Sequence, residues 1–325
     1  MRLGILGTGK IVQDFLTMIG DLPAIELTAI LSTPHSLDHA RELQLNYGIG
    51  QVYTDYADLL ADDQVETVYV ALPNSLHYEF SKQALLAGKN VICEKPFTLN
   101  SSQFAELEKL ALAKDLVLIE AITNQYLPNY QRIQTELPKL GALKIVDCNY
   151  SQYSSRYDRF KQGIVLPAFN PKLGGGALMD LNIYNIHFVI GLLGQPQAVH
   201  YAANIERGID TSGVLTLTYP DTQVVCIGAK DCAAPIKSTL QGNQGSIVVA
   251  GPTNTVESFT ETVNGGEPQS VALNRHPHRM FAEFAKFEQV IATHDMVFVK
   301  QQLQHSKLVM AVVDAALADA GITLG

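Results

Sequence analysis

The sequence predicts an α/β protein of two domains. Residues 1 to 122 predict a doubly wound parallel sheet, and residues 123 to 325 predict an α+β domain with a large, mostly antiparallel open sheet. The length supports this division, because 325 residues exceed what one hydrophobic core usually serves. The hydrophobic pattern supports it too: short apolar runs alternate with amphipathic segments in the first part, and β-rich segments with turn residues dominate the second.

The strands of the first domain are predicted from short runs that are apolar on both faces. Such runs, joined by crossovers with helical periodicity, are typical of a parallel sheet covered by helices on both sides. The runs are LGILG (3 to 7), IELTAIL (25 to 31), ETVYVAL (66 to 72), NVICE (90 to 94) and LVLIE (116 to 120), and the helical segments between them include 36 to 46, 75 to 88 and 100 to 114.

The second domain begins with a helical segment near 129 to 140 and the strand-like LKIVDCNYSQYS. An apolar helix is predicted at 176 to 193. Between 197 and 273, segments such as VLTLTYP, TQVVCIGAK and SIVVAG are separated by PD, GNQG and NGG turns, which predicts an antiparallel sheet. Two closing helices, about 278 to 293 and 299 to 320, are assigned to this domain.

Composition excludes several classes of function. The net charge of −9, from 23 Lys and Arg against 32 Asp and Glu, would repel a phosphate backbone, so we expect no nucleic-acid partner. The four cysteines have neither metal-ligand nor disulfide spacing, which predicts a reduced, cytoplasmic protein without a metal site. No apolar run approaches the roughly 18 residues of a membrane span, and no signal segment precedes the first strand, so we expect no membrane association.

A glycine turn follows the first predicted strand and opens a predicted helix. The first glycine permits a tight turn, the second lets a pyrophosphate approach the backbone, and the helix N-terminus attracts that anion. Val12 stands where a third small residue is usual, and a glycine pair alone is a weak signal. Its place in an N-terminal Rossmann-like domain favours dinucleotide binding, with contacts predicted at Gly7, Thr8, Gly9, Lys10 and Ile11.

The residues after the second strand bear on which dinucleotide binds. A carboxylate there would take the ribose hydroxyls of NAD and repel the 2′-phosphate of NADP. The chain has Ser32 and Thr33 at this position and no acid, which favours NADP over NAD. The alternative is that STPHS is only a polar turn before a helix.

Three further motifs accompany the glycine turn: Leu72, Pro73 and Asn74 with His77 after the fourth strand, Glu94-Lys95-Pro96 after the fifth, and PKLGGGALMDLNIY at 171 to 184. Together they resemble the glucose-fructose oxidoreductase, inositol dehydrogenase and rhizopine-catabolism (Gfo/Idh/MocA) family of NAD(P)-dependent oxidoreductases. Within it the chain is most similar to the branch of dimeric dihydrodiol dehydrogenase and glucose-fructose oxidoreductase, because Tyr184 occupies the place of a histidine in inositol dehydrogenases.

The resemblance implies roles for these residues. Lys95 would bind the nicotinamide ribose and the substrate oxygen, with Glu94 orienting it and a cis peptide bond before Pro96. The residues Leu72, Pro73, Asn74 and His77 would contact the cofactor. Tyr184 would be the general acid or base on the substrate oxygen, and Asp180 would position substrate and lysine.

Asp180, Tyr184 and His187 are spaced i, i+4, i+7, so they share one face if residues 176 to 193 are helical. A buried polar stripe is costly unless it lines a wet cavity, which favours function, although each residue alone is as well explained as a bonded core group. Tyr126 and Arg156 are further candidates for substrate contact, with a solvated surface as the alternative for Arg156. Gln125 replaces an arginine of the dihydrodiol-type relatives.

These observations predict an enzyme that interconverts a secondary alcohol and a carbonyl on a small polyhydroxylated or cyclic substrate. Two alternatives remain open: a tightly bound NAD that is oxidised and reduced within one cycle of elimination or glycoside cleavage, and a non-catalytic nucleotide sensor.

The β-rich domain has helices enough to cover one sheet face, so we expect the other face to join a homodimer or a dimer of dimers.

Overall fold

The computed structural model of the protein describes residues Met1 to Gly325. The chain divides into two compact units, one made of Met1–Ala121 with Met280–Lys307 and the other of Ile122–Arg279 with Leu308–Gly325. Its α-helices are α1 Lys10–Leu16, α2 Leu37–Tyr47, α3 Tyr56–Ala61, α4 His77–Leu86, α5 Ser101–Ala113, α6 Pro128–Glu136, α7 Ser155–Lys161, α8 Ile183–Leu193, α9 Phe281–Thr293 and α10 Met296–Asp319.

The first unit contains a six-stranded parallel sheet. Its strands are β1 Arg2–Leu6, β2 Glu26–Leu31, β3 Gln51–Tyr53, β4 Thr67–Val70, β5 Asn90–Glu94 and β6 Leu118–Ala121. The strand order is β3-β2-β1-β4-β5-β6, and every neighbouring pair is parallel. The order reverses between β1 and β4, and open α/β sheets bind ligands at the carboxyl ends of the strands at such a point.

Burial explains why these runs form the sheet. The residues of β4 are all buried, and β5 is buried from Val91 to Glu94, as expected for strands covered on both faces. The doubly wound sheet predicted from the five apolar runs is therefore confirmed. The sequence missed β3 because this strand has only three residues and none of them is fully buried.

The second unit contains an eight-stranded sheet. Its strands are β7 Leu143–Ser151, β8 Ala198–Glu206, β9 Ile209–Thr218, β10 Gln223–Ala229, β11 Lys237–Gly242, β12 Gly245–Ala250, β13 Ser258–Val263 and β14 Gln269–Val271, in the order β14-β13-β12-β11-β7-β10-β9-β8. Only the β7–β10 pair is parallel. The predicted open, mostly antiparallel sheet is confirmed.

The sequence assigned both closing helices to the second unit. The structure instead groups α9 and the first part of α10 with the first unit. Phe284 of α9 is fully buried, and its ring lies 4.4 Å from that of Phe15 and 5.1 Å from that of Tyr69, both in the first unit. Residues 280 to 307 are therefore part of the first unit, and only the end of α10 is grouped with the second. Local periodicity predicts helices, but it carries no information about which distant side chains they pack against.

The apolar segment at 176 to 193 also differs from the expected regular helix. Residues Leu178–Asn182 form a π-helix, in which the amide of Ile183 donates to the carbonyl of Leu178, and α8 follows directly. The stretch Pro171–Leu193 is long and apolar enough to span a membrane by length and composition, contrary to our expectation, and 72% of its apolar window is buried in the structure. That burial is typical of the core helix of a folded domain.

Candidate functional site

The glycine turn lies between β1 and α1. Gly7 has a φ of +103°, and a Cβ there would lie 2.9 Å from the carbonyl oxygen of Ala71, so only glycine fits. Gly9 has an ordinary extended backbone, and nothing lies within 4 Å of the position that its Cβ would take. The two glycines therefore differ: Gly7 is required by the fold, and Gly9 leaves space beside the first turn of α1.

The residues that follow β2 form a cluster of hydroxyl groups. The Ser36 hydroxyl is 2.9 Å from the hydroxyls of both Ser32 and Thr33. Thr33 is exposed, and no carboxylate follows the strand before Asp38. Such a cluster can donate hydrogen bonds to an anion and contains no negative charge that would repel one. That these residues bind the phosphate of a dinucleotide stays a prediction from the sequence.

His77, a predicted cofactor contact, lies in the interior of the first unit. Its ring is fully buried, and its two nitrogens lie 2.8 Å from the carbonyl oxygens of Leu72 and Pro96. A neutral ring donates to one of them at a time and a protonated ring to both. Burial lowers the pKa of His77, while the two carbonyls act in the opposite direction. Because both nitrogens contact backbone, His77 connects the loops that carry Leu72 and Pro96.

The loop that carries Lys95 is held by buried groups. The Lys95-Pro96 peptide bond is cis, as the resemblance implied. Glu94 accepts a hydrogen bond from the Tyr69 hydroxyl at 2.5 Å. Glu120, at the end of β6, accepts from the Phe97 amide at 3.0 Å and from the Ser306 hydroxyl at 2.6 Å. These contacts fix the backbone on both sides of the partly exposed Lys95.

The second unit presents Asp180 from the π-helix. One carboxylate oxygen of Asp180 lies 2.8 Å from the ammonium of Lys230, whose side chain is 2% exposed, whereas that of Asp180 is 36% exposed. π-turns within helices occur often at functional sites because the wider turn redirects side chains. Asp180 is thus a half-exposed carboxylate with a buried cation behind it.

Tyr184 and His187 follow on α8. The Tyr184 ring lies 6.2 Å from that of Tyr150 on β7, and the Asn124 side chain donates to the Tyr184 carbonyl at 3.0 Å. His187 is fully buried, which does not match a substrate contact. Gln125 donates to the His187 carbonyl at 3.0 Å, so it supports the helix rather than a ligand.

The remaining candidates lie in different surroundings. Arg156 is exposed in the first turn of α7, which matches the alternative of a solvated surface. Tyr126 is buried in a short 3₁₀ turn before α6. Tyr184 is 7% exposed and Tyr126 is 6% exposed, so burial does not distinguish these two tyrosines, and the substrate contacts of Tyr126, Arg156 and Tyr184 stay predictions.

Asp210 supports the start of the π-helix. Its carboxylate accepts from the Leu178 amide at 2.6 Å and from the Tyr201 hydroxyl at 2.7 Å. Burial raises the pKa of the Asp210 carboxyl to about 6, against the effect of these donors and of Lys230. A Cβ at Gly176, which has a φ of +109°, would collide with the same carboxylate. The buried acid and the glycine therefore depend on each other.

Sequence reasoning missed three charged residues that shape the site: Glu120, Asp210 and Lys230. All are buried: Glu120 lies near the end of β6, Asp210 near the start of β9, and Lys230 directly after β10. For Glu120 and Lys230 the available signal was a charge at the end of an apolar run, LVLIE and TQVVCIGAK, and Asp210 offered no such signal.

A doubly wound sheet with a glycine turn at one strand end and a lysine at another is the architecture of a nicotinamide-dependent oxidoreductase. Comparison with known families specifies which kind. Residues 1–121 match the NAD-binding Rossmann-fold model of the GFO/IDH/MocA oxidoreductase family, and residues 137–248 match the family's C-terminal domain model. The chain belongs to this family, and the resemblance seen in the sequence is confirmed.

Curated relatives cover nearly the whole chain. It is 31% identical to scyllo-inositol 2-dehydrogenase (NADP(+)) IolU of Bacillus subtilis, over 99% of this chain and 98% of the relative. It is 26% identical to a trans-1,2-dihydrobenzene-1,2-diol dehydrogenase of Xenopus tropicalis, again over 99% and 98%. A solved structure of KijD10, a 3-ketoreductase from Actinomadura kijaniata, in complex with NADP and TDP-benzene shares the fold, with a TM-score of 0.82, 24% identity and coverage of 97% and 98%.

The protein is therefore an NAD(P)-dependent oxidoreductase that acts on CH–OH groups. When bound, the nicotinamide accepts or donates the hydride. The glycine turn, the hydroxyl cluster after β2 and the loop of Lys95 are the parts of the first unit that would hold this cofactor.

We predict that Gly9→Ala weakens NADPH binding and leaves the melting temperature unchanged, because its Cβ fills only the space beside α1. Gly7→Ala is the matched variant: it should lower the free energy of unfolding by about 1–3 kcal/mol, because alanine at this φ is strained. Fluorescence titration with NADPH and thermal melting check both. Equal melting temperatures for the two variants would contradict the different roles of these glycines.

We predict that Asp210 makes the protein less stable as the pH rises. Its pKa is about 6 in the folded state and 3.8 in the reference state, so folding favours the protonated acid. The contribution of Asp210 to the free energy of unfolding is fully present below pH 3.8 and is lost as the pH rises through 6. The total loss is about 3 kcal/mol. In Asp210→Asn this loss should be absent. Urea unfolding of both proteins between pH 4 and 7 measures it, and a stability difference that does not vary with pH would refute the assignment.

Proposed function

We propose that the protein interconverts a secondary alcohol and a carbonyl on a sugar, polyol or dihydrodiol, with NADP as the preferred cofactor. The proposal is supported by Asp180, a half-exposed carboxylate in the π-helix, and by Tyr184, one turn further along in α8, the two residues to which the sequence resemblance assigns catalytic roles. The relatives named as inositol and dihydrobenzenediol dehydrogenases support the substrate class.

In this mechanism each residue has one role. The Tyr184 hydroxyl gives its proton to the substrate oxygen during reduction and takes it back during oxidation. The Lys95 ammonium stabilises the negative charge that develops on that oxygen. Asp180 accepts a hydrogen bond from a neighbouring substrate hydroxyl and thereby orients the reacting carbon.

A panel of polyols, aldoses and dihydrodiols, assayed at the nicotinamide absorbance band with each cofactor, tests the activity. Substrate loss without net NADPH formation would instead favour the alternative of transient oxidation.

We predict that Lys95→Met and Tyr184→Phe fold normally and lose about 10²- to 10⁴-fold in kcat, as expected for an oxyanion-stabilising group and a general acid. Lys300→Met removes a charge from an exposed position of α10 and is the control. Steady-state kinetics on the best substrate of the panel measures the effect. A Lys95→Met variant that keeps a third of the wild-type kcat would exclude Lys95 from the chemistry.

We predict tighter binding of NADPH than of NADH, because the hydroxyl cluster after β2 contains no carboxylate. Thr33→Asp should reverse this preference by placing a negative charge where the 2′-phosphate binds. Thr135→Asp adds the same charge to an exposed position of α6 and should change neither affinity. Titration of all three proteins with both cofactors gives the ratio, and wild-type binding of NADH ten times tighter than NADPH would refute the preference.

We also propose that the protein is a homodimer, or a dimer of dimers, joined through the eight-stranded sheet. Ile145, Val214 and Val248 of β7, β9 and β12 are 46%, 39% and 40% exposed, and large apolar side chains in a sheet face favour association. We predict that light scattering gives at least twice the 35.4 kDa of one chain, and that Val248→Glu lowers the mass to one chain. Leu45→Glu, at an exposed site of α2, should have no effect. A wild-type mass of one chain would refute the proposal.

A further inference from the structure

Lys230 follows β10 in the core of the second unit, and its environment is unusual for a lysine. Its side chain is 2% exposed. The ammonium lies 2.8 Å from a carboxylate oxygen of Asp180, donates to the carbonyl of Ala168 at 2.5 Å and lies 4.4 Å from the centre of the Phe169 ring. Lysine is almost never fully buried unless it is paired, and here an anion, a carbonyl and an aromatic face surround it.

Stability does not explain why this position holds a lysine. Taking the Lys230 ammonium out of water costs free energy, and apolar side chains of similar volume often replace buried charged groups and their partners without loss. The surroundings already include Phe169 and the buried end of β10, which would accept a methionine. The Ala168 carbonyl has a second donor, because the Gly176 amide bonds to it at 3.1 Å. The ammonium also acts to lower the pKa of Asp210, but its direct ion pair is with Asp180, so Asp180 is the carboxylate that it can orient.

We propose that Lys230 is a positioning residue that holds Asp180 in one orientation for its role in the reaction. The inference rests on the proposed function, since it assigns Lys230 a role through Asp180. The geometry suits this role, because Lys230 approaches one carboxylate oxygen, Oδ2, from the buried side, while the carboxylate as a whole is 36% exposed. A carboxylate that is fixed from behind loses little freedom when it accepts a hydrogen bond from a substrate hydroxyl.

The ion pair can be tested without measuring activity. Lys230→Met should lower the melting temperature of the wild type by about 2 °C or more, because Asp180 loses its cation. In an Asp180→Asn protein, the same substitution should raise the melting temperature, because it removes a buried ammonium that has lost its anion. Equal shifts in the two backgrounds would show that Lys230 and Asp180 are not coupled and would overturn the proposal.

The positioning role is tested by kinetics on the same four proteins. Lys230→Met should lower kcat by about 10- to 100-fold, with the affinity for NADPH unchanged, because a misplaced catalytic carboxylate has a cost of this size. In the Asp180→Asn background, Lys230→Met should lower kcat by less than about twofold more. The reason is that both substitutions remove the same function, the positioned carboxylate of Asp180. Independent losses that multiply, or a Lys230→Met kcat above half of the wild-type value, would refute the role.

A second buried lysine provides the control. Lys89 is 9% exposed, and its ammonium donates to the carbonyls of Asp62 and Val65. It directly precedes β5 and therefore lies at the amino end of that strand, opposite to the end that carries Lys95. Lys89→Met should lower the melting temperature and leave kcat within about twofold of the wild type. A wild type that turns over no compound of the panel would refute the proposed function, and the melting temperatures would then still decide whether Lys230 and Asp180 form a coupled pair.

Discussion

One buried imidazole, that of His77, connects the loops after β4 and β5, and the predicted cofactor contacts of these loops depend on this connection. His77 lies between the carbonyls of Leu72 and Pro96, which follow neighbouring strands of the parallel sheet. Parallel strands end at a common edge, but their loops are separate pieces of chain, and nothing in the ladder of hydrogen bonds fixes one loop against the other. A side chain with two nitrogens on opposite sides of a flat ring can do so. The place of Lys95, one residue before Pro96, follows from this contact and from the bond of Glu120 to the Phe97 amide.

The polar groups buried in both units follow one energetic rule. A buried charge is costly unless it is paired and hydrogen-bonded, and three such groups bond a backbone amide or another charged side chain. Glu120 holds an amide of the lysine loop, Asp210 holds an amide of the π-helix, and Lys230 holds the carboxylate of Asp180. Each of these groups carries a free-energy cost that an apolar residue would not. Each of them bonds a specific group, an amide or a carboxylate, which indicates that the cost is accepted for geometry rather than for stability.

Features encoded by neighbouring residues could be predicted from the sequence, and features that join distant residues could not. The β-strands of the first unit, the glycine turn and the missing acid after β2 are all local patterns, and they were predicted. The place of α9 was not, because it depends on Phe284 meeting Phe15 and Tyr69, more than 200 positions away in the chain. Lys230 and Asp180 are separated by 50 positions, so neither residue type nor spacing announced their contact. The π-helix was not predicted for another reason. Its sequence, LMDLN, has the same periodicity as an α-helix, and only the hydrogen bond from the Ile183 amide to the Leu178 carbonyl distinguishes it from one.

The π-helix also explains how Asp180, the carboxylate proposed to orient the substrate, can be carried on an apolar segment. In a regular helix of this composition, a carboxylate would have to turn into the core or out to solvent. The wide turn at Leu178–Asn182 is anchored by Asn182, which donates to the carbonyl of Cys226 on β10, and by Asp210 at its first amide. These two bonds hold the turn against the sheet, so Asp180 remains half exposed while its neighbours Met179 and Asn182 are buried. The stripe of Asp180, Tyr184 and His187 was predicted on the condition that residues 176 to 193 form a regular helix, and the π-helix at Leu178–Asn182 does not meet that condition. The position of Asp180 comes from a local break in the helix that is stabilised from the sheet, and in the proposed reaction such a preformed arrangement would need little reorganisation when substrate charge develops.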